Sequence, residues 1–431
     1  MAGSAVSLAG STGGLHGSNS SGESPVGTAP QNIALVRGLT LLMFMMFAMT
    51  TDSVGVIIPQ VVREFGLSLT AAGAFHYATM AAIAAAGILL GFCADRVGRK
   101  RTIMGGLLLF ASSCYLLVAG HSFIYFLCLL SLSGVAVGLF KTGALALIGD
   151  ISSSTTAHTS TMNLAEGFFG VGAIVGPAIV TSLIRNQMSW KWLYVIAGTL
   201  CVVLLVVTLT LRFPEPLRPR SDPVDLRRTV RMFASPYALV FGTGIALYVA
   251  IEASVYVWGP LYLQGYHGTW GALADYAIAV FFILRAGGRF LGAWLLARLD
   301  WSRALAILGL AIFLCLTASV VGGVRAAVIL LPMSGLFMSV VYPTLNSKGM
   351  SCFPKAEHGA ISGVILFFTC AGAVVGPLAM GAVIDVLHAP KYAFATASAL
   401  ALILELGLIY NVCFRPTRAI LGRLDVQEYG A

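Results

Sequence analysis

Gly91-Phe92-Cys93-Ala94-Asp95-Arg96-Val97-Gly98-Arg99-Lys100-Arg101 interrupts a long apolar run. Apolar, helix-forming sequence leads up to it and resumes at once after it. Two helices that span a bilayer must be joined in water, and basic residues hold such a joint on the cytoplasmic side. Gly91 and Gly98 allow close approach or a turn. Asp95 is placed to dock against a neighbouring helix end or to pair with an arginine. Arg96 and Arg99 are the candidate arginines.

The rest of the chain agrees with this reading. Of its 431 residues 58% are hydrophobic and only 10% charged, against roughly 25% charged in soluble proteins. The formal charge of +9 would suggest nucleic acid in a soluble chain, but here its placement matters more. Eighteen of the 26 lysines and arginines fall in the N-terminal tail, the even-to-odd loops and the C-terminal tail. Five (Arg63, Arg185, Lys191, Arg325, Lys391) fall in the opposite loops, and Lys141, Arg285 and Arg289 lie inside apolar segments. The asymmetry puts both termini in the cytoplasm. The eight cysteines are scattered without a Cys-x-x-Cys pair and read as packing residues.

Twelve apolar segments are expected, at 34–62, 70–94, 101–120, 123–149, 160–184, 191–213, 236–265, 271–298, 302–322, 325–348, 357–385 and 391–414. Each is near the roughly 20 residues that a spanning helix needs. The domain reading is a disordered cytoplasmic tail (1–30), a six-helix domain (31–213), a cytoplasmic linker (214–235), a second six-helix domain (236–414) and a cytoplasmic tail (415–431). Residues 212–235 carry four prolines and six arginines, which marks the linker.

The halves repeat. Gly172-Ala173-Ile174-Val175-Gly176-Pro177 returns 200 residues later as Gly372-Ala373-Val374-Val375-Gly376-Pro377. Gly138-Leu139-Phe140 returns as Gly335-Leu336-Phe337, and Asp52 returns as Glu252. Duplicated halves of this kind place a substrate near the midplane and alternate its access by rocking.

A charge at the bilayer centre costs roughly 2.5–3.5 kcal/mol on insertion scales, so each intramembrane charge is a site candidate. These are Asp52, Lys141, Glu166, Glu252, Arg285, Arg289 and Glu405. Lys141 is expected to pair with Asp52 or Glu166, giving a proton-coupling network of Asp52, Lys141 and Glu166. Asn163 and Glu166 share a helix face, and Asn163 can both donate to and accept from a hydroxyl. Glu252 with Trp258 offers a carboxylate for sugar hydroxyls and an aromatic plane. Tyr342 and Asn346 supply polar groups around an expected helix break at Pro343. Arg285 is a further candidate, as counter-ion to Glu252 or ligand of an anion. His76 is read as a core histidine or a relay. Arg289 is read as structural, with Gly91, Asp95, Arg96, Gly98 and Arg99. Glu405 has no assigned role beyond pairing or a protomer contact. No phosphate loop and no metal-ligand spacing occurs in the sequence, so neither an enzyme nor an ATP-driven pump is expected.

The stretch 91–101 resembles the loop signature of the major facilitator superfamily, which lies between its second and third helices. Phe337-Met338-Ser339-Val340-Val341-Tyr342-Pro343-Thr344-Leu345-Asn346-Ser347 resembles the helix-ten signature of the fucose–galactose–glucose:proton symporters. Asn163-Leu164-Ala165 with Gly170-Val171-Gly172-Ala173, and Tyr248-Val249-Ala250-Ile251-Glu252, resemble that family's helices five and seven. The resemblance implies an all-α membrane protein of twelve helices in two pseudo-symmetric halves, with Asn163, Glu252 and Asn346 lining a monosaccharide cavity. This chain departs from the fucose symporter in three places. Lys141 stands where that protein has an acid, Gly55 stands at its helix-one acid, and Glu166 replaces a glutamine.

The function expected is import of a neutral monosaccharide of the glucose, galactose or fucose class, by proton symport across a bacterial inner membrane. Sodium is the alternative driving ion, and no cofactor, nucleic acid or bound metal is expected; the unit is a monomer in lipid. The alternatives are a proton-coupled exporter of amphipathic drugs, which the Gly172–Pro177 pattern suggests, or a carrier of an anionic sugar or organic acid.

Overall fold

The computed structural model describes residues 31–66, 69–214, 226–264, 266–296 and 298–429. The expected disordered tail and residues 215–225 of the linker lie outside the described residues. Twelve spans follow one another, and no strand occurs among the described residues.

The first span is Gln31–Thr51 continued by Val54–Phe65; the second to sixth are Leu69–Leu90, Arg99–Val118, Phe123–Ile151, Thr155–Arg185 and Trp192–Thr210. The seventh to ninth are Pro236–Leu263, Ala277–Leu295 and Trp301–Val321. The tenth is Gly323–Met338 continued by Val341–Ser351, and the last two are His358–Leu387 and Lys391–Phe414. Ten of these are long and apolar enough to cross a membrane by length and composition. The other two are the second, whose apolar stretch is Phe75–Leu90, and the eighth, which carries Arg285 and Arg289. The protein is an integral membrane protein.

Local chemistry sets the ends and breaks. The Ser154 hydroxyl accepts the Ala157 N–H, so the fifth span starts five residues before the expected 160. The first span breaks at Asp52-Ser53, where Thr50, Thr51 and Ser53 turn their hydroxyls back onto the carbonyls of Phe47 and Met49. The tenth span breaks at Ser339-Val340, not at Pro343, which lies in the first turn of the next helix. Proline tolerates that position, and the Ser339 carbonyl, four residues back, receives no amide proton from it.

The repeat is present in the packing. Span one packs on five as seven packs on eleven; two packs on four as eight packs on ten; three packs on six as nine packs on twelve. The repeated glycines make these contacts. A Cβ at Gly172 would lie 2.8 Å from the Ala48 Cβ, and one at Gly372 2.9 Å from the Ala246 Cα. A Cβ at Gly138 would meet Ala86 of the second span at 2.7 Å, and one at Gly335 would meet the Phe281 ring of the eighth at 2.9 Å. Small residues let helix backbones approach where lipid supplies no hydrophobic drive. The Gly-Pro pattern of the fifth span is therefore used, with its twin, for packing.

Short helices also occur between spans, at Cys93–Arg96, Gly271–Asp275 and Lys355–Glu357, and two more lie outside the two halves. Leu226–Met232 lies in the linker and Arg418–Tyr429 in the C-terminal segment. The latter docks across the halves, its Asp425 accepting the Thr155 N–H at 3.0 Å.

Candidate functional site

The halves enclose a cavity of about 1390 Å³. It extends from the middle of the spans to Arg185 and Asn186 at the end of the fifth, and to Tyr276 at the start of the eighth. This is the face opposite the one that carries both described termini. Three carboxylates (Asp52, Glu166, Glu252) and three cations (Lys141, Arg285, Arg289) line its depth.

These charges pair in part as the sequence suggested: Arg285 stands by Glu252, but Glu166 pairs with Arg289 and not with Lys141. Arg285 Nε lies 2.9 Å from Glu252 Oε1, although the N–H is not aimed along that line and makes no hydrogen bond. The pair is ionic in distance only, and Arg285 also lies over the Phe282 ring. Tyr248, one turn before Glu252, donates its hydroxyl to Glu252 Oε1 and lies at the same 2.7 Å from the Met338 carbonyl. Arg289 uses its whole fork. Nη1 donates to the Glu166 carbonyl at 2.7 Å, Nη2 lies 3.5 Å from Glu166 Oε2, and Nε donates to the Ser339 carbonyl at 3.3 Å. That carbonyl lies four residues before Pro343, so the tenth-span break and Arg289 belong to one arrangement. Arg289 is a link between halves and a wall of the cavity at once.

Lys141 pairs with neither Asp52 nor Glu166 among the described residues. Its ammonium sits 4.4 Å from the centre of the Phe169 ring, a contact of about 0.5–2 kcal/mol. Glu166 is taken by Arg289, which reaches it from the other half. Asp52 accepts only the Thr51 hydroxyl, at 2.9 Å, and makes no ion pair among the described residues. The helix break beside it opens its backbone turn to the cavity. His76 also lines the cavity and is half-buried.

Of the expected substrate residues, Glu252 and Tyr342 line the cavity. Tyr342 Oη lies 3.4 Å from Thr369 Oγ1. Asn163, Trp258 and Asn346 do not line it. The Trp258 indole donates to the Pro377 carbonyl at 3.2 Å, between the seventh and eleventh spans. Asn163 is fully buried and donates to the Thr159 carbonyl at 2.9 Å and to Thr344 Oγ1 at 3.4 Å. Asn346 is fully buried, and its amide makes no hydrogen bond among the described residues. Sequence reasoning missed Phe169, Tyr248 and Phe282 at the site; only Tyr248 had a signal, its one-turn spacing from Glu252. Glu405 packs against Gly309, between the twelfth and ninth spans and away from the cavity.

The terminus-bearing face is shut. Asp95 accepts the Gly359 and Ala360 N–H groups at 2.9 and 2.8 Å, so it caps the eleventh span. It also pairs with Arg99, which donates to Asp150 at 2.9 Å and to the Lys355 carbonyl at 2.7 Å. Burial pushes the Asp95 carboxyl up to about 6, against the pull of Arg99 and the two amides. Gly91 lies against Gly359 and Gly363, and Gly98 has φ +110°, which favours glycine. Arg96 is exposed. Lys348, the last residue of the expected tenth segment, is a buried helical residue whose ammonium donates to the Thr155 carbonyl at 3.4 Å.

A twelve-span bundle of paired halves, open on one face and shut on the other, has the architecture of a facilitator. Residues 40–377 match the model of the Major Facilitator Superfamily, and the chain belongs to that superfamily. It is 25% identical over 391 residues to the L-fucose-proton symporter of Escherichia coli (strain K12), covering 80% of this chain and 85% of that protein. It is 25% identical over 371 residues to a glucose/galactose transporter of Brucella abortus biovar 1 (strain 9-941), covering 82% and 88%. Its fold matches the crystal structure of the superfamily transporter FucP in the outward conformation, with a TM-score of 0.73 at 19% identity, over 88% of this chain and 99% of that one.

Proposed function

We propose that this chain imports a neutral monosaccharide by proton symport, with alternating access between its halves. The observation that carries the reading is the charge balance of the cavity. In its depth three carboxylates face three cations and leave no net charge to select an ion, while a fourth cation, Arg185, stands at its mouth. Glu252, Tyr342 and Tyr256 provide hydroxyl partners and aromatic faces around it. The relatives named for fucose and for glucose and galactose support the same class. The proton is assigned to Asp52, the cavity carboxylate without an ion pair among the described residues. The distribution of basic residues supports a terminus-bearing face in the cytoplasm of the plasma (bacterial inner) membrane, with the cavity facing outward. A carboxylate-bearing sugar is the second reading, favoured by Lys141, whose ammonium meets a ring and not an acid.

The test is uptake of labelled D-glucose, D-galactose and L-fucose into proteoliposomes, with and without an acid-outside gradient, and with and without sodium. Acid-stimulated uptake of a hexose is expected. Uptake of a hexuronate but of no neutral hexose would favour the second reading. Uptake of neither overturns both.

A further inference from the structure

The polar residues of the fifth and tenth spans form a ladder running from the cavity to the terminus-bearing face. Glu166 lines the cavity and holds Arg289. One turn below, Asn163 meets Thr344 at 3.4 Å. Next, Thr159 meets Ser347 at 2.9 Å. His158 Nδ1 then reaches Ser347 at 3.1 Å and Ser351 at 3.2 Å. Thr155, Thr159, Asn163 and Glu166 recur at helical spacing on one wall, as Thr344, Ser347 and Ser351 do on the other.

Every rung joins one half to the other, and two of the groups are incomplete. Asn163 Oδ1 and His158 Nε2 are buried on fully enclosed side chains and make no hydrogen bond among the described residues. Orphaned buried polar atoms are costly and uncommon in native structures. At the far end, a small cavity of about 150 Å³ is lined by Thr156, Thr159, Ser160 and Lys348. Thr159 therefore belongs both to a rung and to a pocket at the terminus-bearing end.

The other seam between the halves is built differently. The second and eleventh spans meet glycine on glycine. A Cβ at Gly87 would lie 2.9 Å from the Gly363 carbonyl, and one at Gly91 3.0 Å from that of Gly359. That contact is backbone against backbone and offers a solute no side-chain hydrogen bonds.

We propose that the ladder is a second, release-side binding site for a hydroxyl-rich solute, formed when the halves part on the terminus-bearing face. Thr159 and His158 on the fifth span and Ser347 and Ser351 on the tenth exchange their bonds to one another for bonds to the solute. The orphaned atoms of Asn163 and His158 gain partners in that state. The proposal deepens the monosaccharide reading and rests on it.

The test uses the full chain with its eight native cysteines replaced and Thr159→Cys introduced, in inside-out vesicles. The probe is whichever of D-glucose, D-galactose or L-fucose the wild type takes up. A membrane-impermeant thiol reagent is expected to label the cysteine from the terminus-bearing side, and saturating sugar to slow labelling about tenfold. In a second measurement, His158→Phe raises the KM for efflux about tenfold, equivalent to about 1.4 kcal/mol, while the KM for uptake stays within about twofold. A role confined to holding the halves together would not split the two KM values. Labelling that sugar does not slow, or two KM values that rise together, would overturn the site. Wild-type uptake is measured first. No uptake of any hexose overturns the monosaccharide reading, whereas uptake without protection overturns the release-side site alone.

Discussion

Arg289 of the eighth span holds Glu166 of the fifth by both backbone and side chain, with Nη1 2.7 Å from the Glu166 carbonyl and Nη2 3.5 Å from its carboxylate. The link crosses between the halves. A carrier that rocks must strain or break it in each cycle, while the bundle relies on it at rest.

Removing one partner leaves the other charge buried. Arg289→Met is expected to destabilise the protein by about 3–5 kcal/mol, read as a lower midpoint of thermal unfolding in detergent. The double variant Glu166→Gln/Arg289→Met is expected to recover most of that loss without recovering transport. Equal stability of the single and double variants would show that the pair is not coupled.

Asp52 and Lys141 line one cavity but meet different partners. Asp52→Asn is expected to abolish accumulation driven by a pH gradient and to leave sugar exchange across the membrane intact. Lys141→Met is expected to act independently of it. Their interaction in a double-mutant cycle on sugar affinity should stay within about 0.5 kcal/mol. A larger coupling would restore the pairing that the sequence suggested.

Asp95 closes the terminus-bearing face by capping the eleventh span. Asp95→Ala removes the cap, typically worth about 1 kcal/mol, and leaves Arg99 with one carboxylate fewer. The expected outcome is faster labelling of a cysteine at position 159 from that face and weaker sugar binding from the other. Unchanged labelling would place the closing force elsewhere.

The contact of Gly87 with Gly363 has no room for a side chain. Gly87→Val is expected to force the second and eleventh spans apart and favour opening on the terminus-bearing face. Cysteine cross-linking between these spans should fall, while Gly38→Val, at a glycine with open space around it, should leave cross-linking as in the parent.

The stretch 91–101 and the twelve apolar segments were enough to reach the fold, because a lipid environment leaves the backbone few choices and ten of the twelve spans declare themselves by length and hydropathy. The duplicated Gly172 and Gly372 motifs likewise predicted the pairing of halves, since only small residues allow those backbone distances. The charged residues deep in the cavity were also legible, because an intramembrane charge is costly against lipid; Glu405, buried away from the cavity, is the flagged charge that does not join it. The Arg285–Glu252 pair was a candidate from the sequence, but the partners of Lys141 and Glu166 could not be read. Lys141 was free to pair with Asp52 or Glu166 on any linear reading. The tertiary structure gave Glu166 to Arg289, 123 residues away, and left Lys141 over Phe169. Nor could the sequence show that Asn163 and Asn346 lie outside the cavity. Composition and spacing fix which side chains share a helix face. Ion pairing and access depend on distances between helices of different halves, and those are set only when the halves pack.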